Sequence, residues 1–306
     1  MRITLVENFR AVFYAPFYAP IALGAYESEG LQVSLKMSAD AAHTAASLIA
    51  GDGDVSWGGP LRLMIALETN PQAAALAFCE AVGRDPFFLL GRAPRPGFRL
   101  EDLLGEKVAA VTEVPTPWMC LQQDLRLAGI DPARVHAAPG RSMPDNVAAL
   151  RSGEIDIVQA FHPCAALAVR EGAAHVWYVA ARRGLVSYTT LNTTRAYADR
   201  HPEVLLRMCR AMYRTQKWIA AHSAADLARA VGSFFPDLSA AILTYCFESY
   251  KAIGLWNARP LLQREGLEWL RDAALASGLL HRKFAYEDCV DMRYAEQAVR
   301  EEPPSI

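Results

Sequence analysis

An apolar run met at once by a double proline sets the architecture open to this chain. Arg84-Asp85-Pro86-Phe87-Phe88-Leu89-Leu90-Gly91-Arg92 reads as a strand at its centre. Behind it, Ala93-Pro94-Arg95-Pro96-Gly97-Phe98 fits neither a helix nor a central strand, because proline lacks the donor that both require. Strand-like apolar runs alternate with amphipathic helical runs before this segment, and the alternation begins again after it. The run at 87–90 is therefore expected to carry the chain from one lobe into another, with a ligand cleft between them. A return crossing is expected near Arg183 to Ser187, which gives lobe one as 1–90 and 188–306 and lobe two as 91–187.

The totals permit two such lobes. A chain of 306 residues buries roughly three-quarters of its unfolded surface. With 52% hydrophobic and 21% charged residues it is globular in composition, and a net charge of −2 speaks against a nucleic-acid partner. No apolar run approaches the eighteen or so residues of a membrane span, so direct membrane insertion is not expected. Arg2-Ile3-Thr4-Leu5-Val6 already reads as a strand, and Glu7 and Arg10 interrupt any signal-peptide core. The location is expected to be periplasmic if an export signal was removed and cytoplasmic if Met1 is the native start. Cys79, Cys120, Cys164, Cys209, Cys246 and Cys289 lie about forty residues apart without a C-x-x-C pair. They read as buried thiols and not as metal ligands, a usage that fits a reducing compartment better than an oxidising one.

In chain order, residues 3–6 form a strand and 16–28 a helix that Gly30 stops. Residues 31–35 alternate like a strand, 41–50 form a short helix, and 55–57 a third strand. Gly58-Gly59-Pro60 opens a helix to Leu67, with proline in the first turn where its missing N–H costs nothing. Strands at 73–79 and 87–90 complete this set. The second set repeats the scheme: a helical lead-in at 100–105, strands at 107–111, 135–138 and 155–160, and helices at 115–128, 142–151 and 163–171. Ser142 is the expected N-cap of the middle helix. Runs at 175–180 and 187–191 lead back. The remainder, to about residue 298, is mostly helical, at 202–221, 224–231, 238–253, 260–277 and near Tyr286. Repeated strand–helix units mean an α/β fold with two mainly parallel sheets flanked by helices. Ligands of such sheets bind beyond the carboxyl ends of the strands, here Asn8 to Tyr14, Ser38 to Ala42, Trp57 to Pro60, Thr112 to Trp118, Arg141 to Asn146 and Phe161 to Pro163.

Four stretches carry a family resemblance: Phe9 to Gly24, Gly51-Asp52-Gly53-Asp54-Val55, Leu100-Glu101-Asp102-Leu103-Leu104-Gly105-Glu106-Lys107-Val108-Ala109, and Leu150-Arg151-Ser152-Gly153-Glu154-Ile155-Asp156. In order and spacing they resemble the type II periplasmic solute-binding proteins, in the branch of sulfonate, nitrate and thiamine-pyrimidine binders that also contains the thiamine-pyrimidine synthases. The resemblance runs from the first strand to about residue 300. It implies a two-lobe fold closing on one small molecule, usually for delivery to an ABC importer. The synthases carry a cofactor lysine and a substrate histidine on the helix after the third strand, and a cysteine-rich run further on. Here that helix, 60–68, has Arg62 but neither lysine nor histidine, and no cysteine-rich run occurs. The departure argues against synthase chemistry.

Trp57, ahead of Gly58 and Gly59, is a candidate wall for a flat ligand, with the helix N-terminus facing an anion; the alternative is a core tryptophan. Phe9, Phe13, Tyr14 and Trp118 are candidates for an aromatic box or for lobe core. Arg10, Arg84, Arg141 and Arg183 are candidate clamps on a carboxylate, sulfonate or phosphate, or else surface residues, and Arg84-Asp85 is alternatively an ion pair at the hinge. His162 is the best-placed histidine for a ligand contact, and Asn8, Ser38, Thr112, Thr116 and Phe161 join the candidate set from the same strand ends. No P-loop, zinc-protease or nucleophile-elbow motif is present, and no catalytic residue, metal or cofactor is assigned. The expected function is that of a non-catalytic, monomeric solute-binding protein. It takes a small flat polar or anionic molecule (a thiamine-pyrimidine precursor, a sulfonate or an aromatic acid), with an ABC importer as candidate partner. The alternatives are a cytoplasmic enzyme on the same fold, in pyrimidine biosynthesis or aromatic-acid decarboxylation, and a cytoplasmic ligand sensor.

Overall fold

The computed structural model describes residues 1–38, 44–70, 72, 74–112, 114–138 and 140–306. The start of the expected helix at Ala41, the loop beyond Ser38 and the strand start at Ala73 lie outside them. The chain forms two compact units, one of Met1–Arg84 with Leu185–Ile306 and one of Asp85–Gly184. Their boundaries fall at 84/85 and 184/185, where the sequence reading set them at 90/91 and 187/188.

The first unit opens with β1 (Arg2–Glu7), α1 (Ala15–Ala22), α2 (Ala25–Ser28) and β2 (Gln32–Met37). The helix expected over 16–28 is split at Gly24, whose φ of +69° starts α2 afresh. Next come α3 (Thr44–Ile49), β3 (Val55–Gly58), α4 (Pro60–Thr69) and β4 (Ala75–Val82). The second unit holds β5 (Phe88–Gly91), β6 (Lys107–Ala109), α5 (Thr116–Leu127), β7 (His136–Ala137), α6 (Met143–Ser152), β8 (Ile157–Ala160), α7 (Cys164–Arg170) and β9 (His175–Val179). The chain then completes the first unit with β10 (Thr189–Thr194), α8 (Arg195–Arg200), α9 (Pro202–Ala221), α10 (Ala224–Val231) and α11 (Ala240–Ala252). Last are α12 (Arg264–Ala276), α13 (Tyr286–Cys289) and α14 (Arg293–Glu301).

Each unit is built on a five-stranded sheet, in the order β2-β1-β3-β10-β4 in the first and β7-β6-β8-β5-β9 in the second. Both sheets are mixed but mainly parallel in strand direction, as expected: in each, four strands point one way and one runs against them. β1 lies parallel to β2 and β3, but β10 runs antiparallel to β3 and β4. In the second unit β6 is parallel to β7 and β8, while β5 is antiparallel to β8 and β9. The cause is the double crossing. β4 leaves the first sheet where β10 enters it, with Val186 N bonded to Gly83 O and Tyr188 N to Val82 O, each at 3.0 Å. An outgoing and an incoming strand that share one end must point in opposite directions. β5 and β9 meet the same condition.

The C-terminal helices follow from local sequence. In α9, Val204, Leu205, Met208, Met212 and Ile219 recur at helical spacing and are buried, and Pro202 occupies the first turn. Its last carbonyls are capped by Lys251, whose Nζ reaches Ile219 O and, at 2.6 Å, His222 O. Ser223 and Asp226 close a reciprocal capping box on α10. Ser142 caps α6, accepting from Asp145 N at 3.3 Å. In the second unit Leu89, Leu103, Val108, Leu121, Leu125, Ile130, Val135 and Ile157 form the core.

Two buried polar clusters stand at the crossings. In the second unit Arg183, 5% exposed, is bonded to both Asp85 and Asp124, and its Nε lies 2.9 Å from Asp124 Oδ1. Tyr178 donates to Asp124 at 2.8 Å, and Phe87 N to Asp85 at 3.0 Å. Arg183 is thus an internal tie and not the ligand clamp that was expected; its fork is filled by two carboxylates of its own unit. In the first unit Glu80 of β4 is 2% exposed. It accepts from the Ser187 hydroxyl and, at 2.7 Å, from Asn257 Nδ2. Burial pushes its carboxyl up to about 8.

Arg183→Ala leaves two buried carboxylates unpaired and is expected to lower stability by about 3–5 kcal/mol, read from urea unfolding. Glu80 gives a pH signature. Its folded pKa lies above the ordinary value of 4.5, so the stability held by its proton is whole below that pH and is lost as pH rises toward about 8. The loss from this one group amounts to about 1.4 kcal/mol per pH unit within that window. Glu80→Gln should flatten the fall in unfolding free energy between pH 5 and 8, and a slope equal to the parent's would refute the assignment.

Candidate functional site

The carboxyl edge of the first sheet gathers a buried polar network around one amide. β1 ends at Glu7 and hands the chain to Asn8, which is 2% exposed. A buried amide must have its donors and acceptors met. Asn8 Nδ2 donates to the Tyr14 hydroxyl at 2.9 Å. Its Oδ1 accepts from Thr44 Oγ1 at 2.9 Å and from Arg62 Nη1 at 3.2 Å. Burial pushes the Tyr14 phenol up to about 12, so it stays neutral.

β3 delivers the neighbouring turn. The Gly58 carbonyl accepts from Thr190 Oγ1 at 3.2 Å and Asn192 Nδ2 at 3.4 Å, both from β10. Gly59 is the extended N-cap of α4, and a Cβ there would stand 3.2 Å from the Tyr188 carbonyl. Pro60 follows in the first turn. This turn sets the positive end of the α4 dipole and the half-buried Arg62 at the same edge. A guanidinium fork beside a helix N-terminus suits a carboxylate, sulfonate or phosphate. Sequence reasoning missed Arg62 as a contact, although its place two residues past the helix-opening proline was a usable signal. Thr44 gave none, since its partner lies 36 residues away.

Other candidates fall differently. Trp57 is 0% exposed, stacked on Phe17 of α1 at 5.3 Å and 13°, with the Tyr18 ring edge-on at 5.3 Å and Tyr14 at 6.0 Å. The expected wall is therefore core, because α1 supplies the ring on its face. Its Nε1 has no hydrogen-bond partner among the described residues. Arg10 is exposed, but its fork grips Glu7 at 2.9 and 3.1 Å and its Nη1 reaches Phe234 O, so the expected anion clamp is held by a near neighbour. Phe13 is buried against Tyr14, while Phe9 is half-buried and packs edge-on to Tyr14 at 5.2 Å. Ser38 is buried and bonds Glu7 O through its N–H at 2.9 Å. Arg84 is the last residue before the crossing.

The second unit has its own strand ends. Phe161 meets Phe87 edge-on at 5.1 Å, and His162, 4% exposed, lies against Phe88 at 4.8 Å. Burial takes the His162 imidazole down to about 3, which keeps it uncharged. Thr112 is exposed and donates to Arg141 O at 3.2 Å; Thr116 begins α5. Trp118 packs on the core of this unit. Arg141, another expected clamp, is paired with Glu154, Nη1 to Oε2 at 2.9 Å. Among the described residues no group of three or more His, Cys, Asp or Glu side chains is placed to hold a metal. None of the described helices is long and apolar enough to cross a membrane.

Comparison with known proteins agrees with the sequence resemblance. The YtlA protein of Bacillus subtilis (strain 168), which carries a binding protein's name, is 25% identical over 304 residues, covering 98% of this chain and 90% of that one. The periplasmic aliphatic sulphonate binding protein SsuA from Escherichia coli superposes with a TM-score of 0.75 at 16% identity, over 95% of this chain and 92% of that one. The desulfurization enzyme DszB gives 0.68 at 16% identity, over 98% and 99%. These two likenesses are of fold: paired five-stranded mixed sheets flanked by helices. The family model described as NMT1/THI5 like matches residues 13–225, well over half of the chain. The chain belongs to the NMT1/THI5-like family.

Proposed function

We propose that this protein is a non-catalytic solute-binding protein for a small anionic molecule, gripped in the first unit by Arg62, Asn8 and the Gly58–Gly59 turn. One observation carries the reading: Arg62 rises half-buried from the first turn of α4 with its Nη1 3.2 Å from the buried Asn8 amide oxygen. A cation so placed strengthens the positive end of a helix at the edge where sheets of this kind bind ligands. The sulphonate named for the SsuA protein of the same fold supports a sulfonate or carboxylate group on the ligand. Phe9, half-buried against Tyr14, offers apolar surface at the same strand end. In the second unit Thr112, Thr116, Phe161 and His162 stay as proposed ligand contacts. Delivery to an ABC importer on the periplasmic side belongs to the same reading.

Catalysis does not belong to it. Burial pushes the thiols of Cys120 and Cys209 well above their ordinary value and that of Cys289 to about 12. His162 sits buried and uncharged, with Phe88 against it. A thiolate nucleophile or an imidazole base near neutral pH has no support from these groups.

Calorimetric titration with a panel of short alkanesulfonates, aromatic carboxylates and a neutral aminopyrimidine tests the proposal. The anions should bind and the pyrimidine should not. A hydrogen bond to a charged group is worth about 1.5–3 kcal/mol, so Arg62→Ala should weaken binding roughly 10- to 150-fold while the circular dichroism stays unchanged. Equal affinity in parent and variant would refute the assignment of Arg62. Trp57→Ala is expected to act on the fold instead, costing about 3–5 kcal/mol in urea unfolding.

A further inference from the structure

Two thiols of the first unit meet where α9 packs on β4. Cys209, on the buried face of α9, points its sulfur at the strand: Sγ lies 3.5 Å from the carbonyl oxygen of Phe78. The next residue on β4 is Cys79, and after burial it is the Cys79 thiol that most raises the pKa of Cys209. Both side chains are 0% exposed, and both are free thiols. The buried hydroxyl of Tyr26 on α2 lies within electrostatic reach of both sulfurs and has no hydrogen-bond partner among the described residues. The Cys209 sulfur thus touches the peptide bond that joins Phe78 to Cys79, and a disulfide needs the two Cα atoms about 4.4–6.8 Å apart.

We propose that Cys79 and Cys209 are a latent disulfide, a cross-link between β4 and α9 that forms when the chain folds in the presence of a small-molecule disulfide. One cysteine thiolate attacks the small disulfide, forming a mixed disulfide and releasing one small thiol. The second cysteine attacks the mixed disulfide at the protein sulfur, the protein S–S bond forms, and a second small thiol leaves. The two electrons and two protons given up by the protein end on the two released thiols. Since neither sulfur is accessible in the finished fold, exchange belongs to the stage before α9 closes on β4, and the folded dithiol is afterwards shielded. The pair is separated by about 130 residues in sequence, so the bond removes a long loop from the unfolded chain. The inference stands apart from the solute reading and does not depend on it.

The test uses the full chain, unfolded with urea and reductant and refolded by dilution into a mixture of oxidised and reduced glutathione. After alkylation under denaturing conditions, intact mass and peptide mapping should show a folded species that carries four alkyl groups where the fully reduced chain carries six. The Cys79 peptide should be joined to the Cys209 peptide, and the other four cysteines alkylated. The same species should unfold at a higher urea concentration than it does after reduction. Cys79→Ser and Cys209→Ser should each abolish the link; if either variant fails to fold, the parent's peptide map decides alone. The proposal is overturned if Cys79 and Cys209 are both alkylated in every folded species. It is overturned equally if they are linked elsewhere (to Cys289, for example) or end as glutathione adducts.

Discussion

The first unit depends on one strand that arrives late. Without β10, β3 and β4 have no partner between them, and the sheet is two fragments. β10 joins them by antiparallel pairing on both sides, and its residues from Thr189 to Thr193 are buried. A central strand of threonines and asparagine is costly unless its side chains are bonded. Thr190 and Asn192 spend theirs on the Gly58 carbonyl, and Thr193 reaches Asp54 O at 2.8 Å. The polar groups of β10 therefore fix the two turns that flank β3. The strand that completes the sheet also sets the geometry at its carboxyl edge.

That edge shows how binding chemistry can be built from backbone constraints. A Cβ on Gly59 would crowd Tyr188 O at 3.2 Å, and Pro60 starts a helix whose first turn must point its donors outward. Arg62 is placed by this geometry, and the Asn8 amide holds it. Asn8 is in turn held by Tyr14 and Thr44. Elements far apart in sequence thus converge on one cation, and the amide that holds it is fixed by two buried hydrogen bonds.

Much of the fold was legible in the residues. Helices α9 and α10 lie where the sequence reading placed them, because helix formation there is local, and the Ser223–Asp226 box found in the structure needs no distant partner. The strands and their mainly common direction were legible, but the one reversed strand of each sheet, β10 and β5, was not. Parallel or antiparallel pairing depends on where the chain re-enters, and no local pattern encodes that. Side-chain partners were hidden for the same reason. Arg10, Arg141 and Arg183 look alike in sequence, yet they grip Glu7, Glu154 and a pair of aspartates. Trp57 reads as a wall only until Phe17 is found lying on it.

The late arrival of β10 also sets an order of manufacture. On the ribosome, residues 85–184 emerge as one continuous run and hold every strand of their own sheet. The first unit begins earlier but is not complete until β10 and α9 have followed. The unit that starts second can therefore finish first, the reverse of the usual N-terminal order of domain folding. In the interval β3 and β4 each expose an unpaired strand edge rich in apolar residues, the kind of surface that nascent-chain chaperones cover.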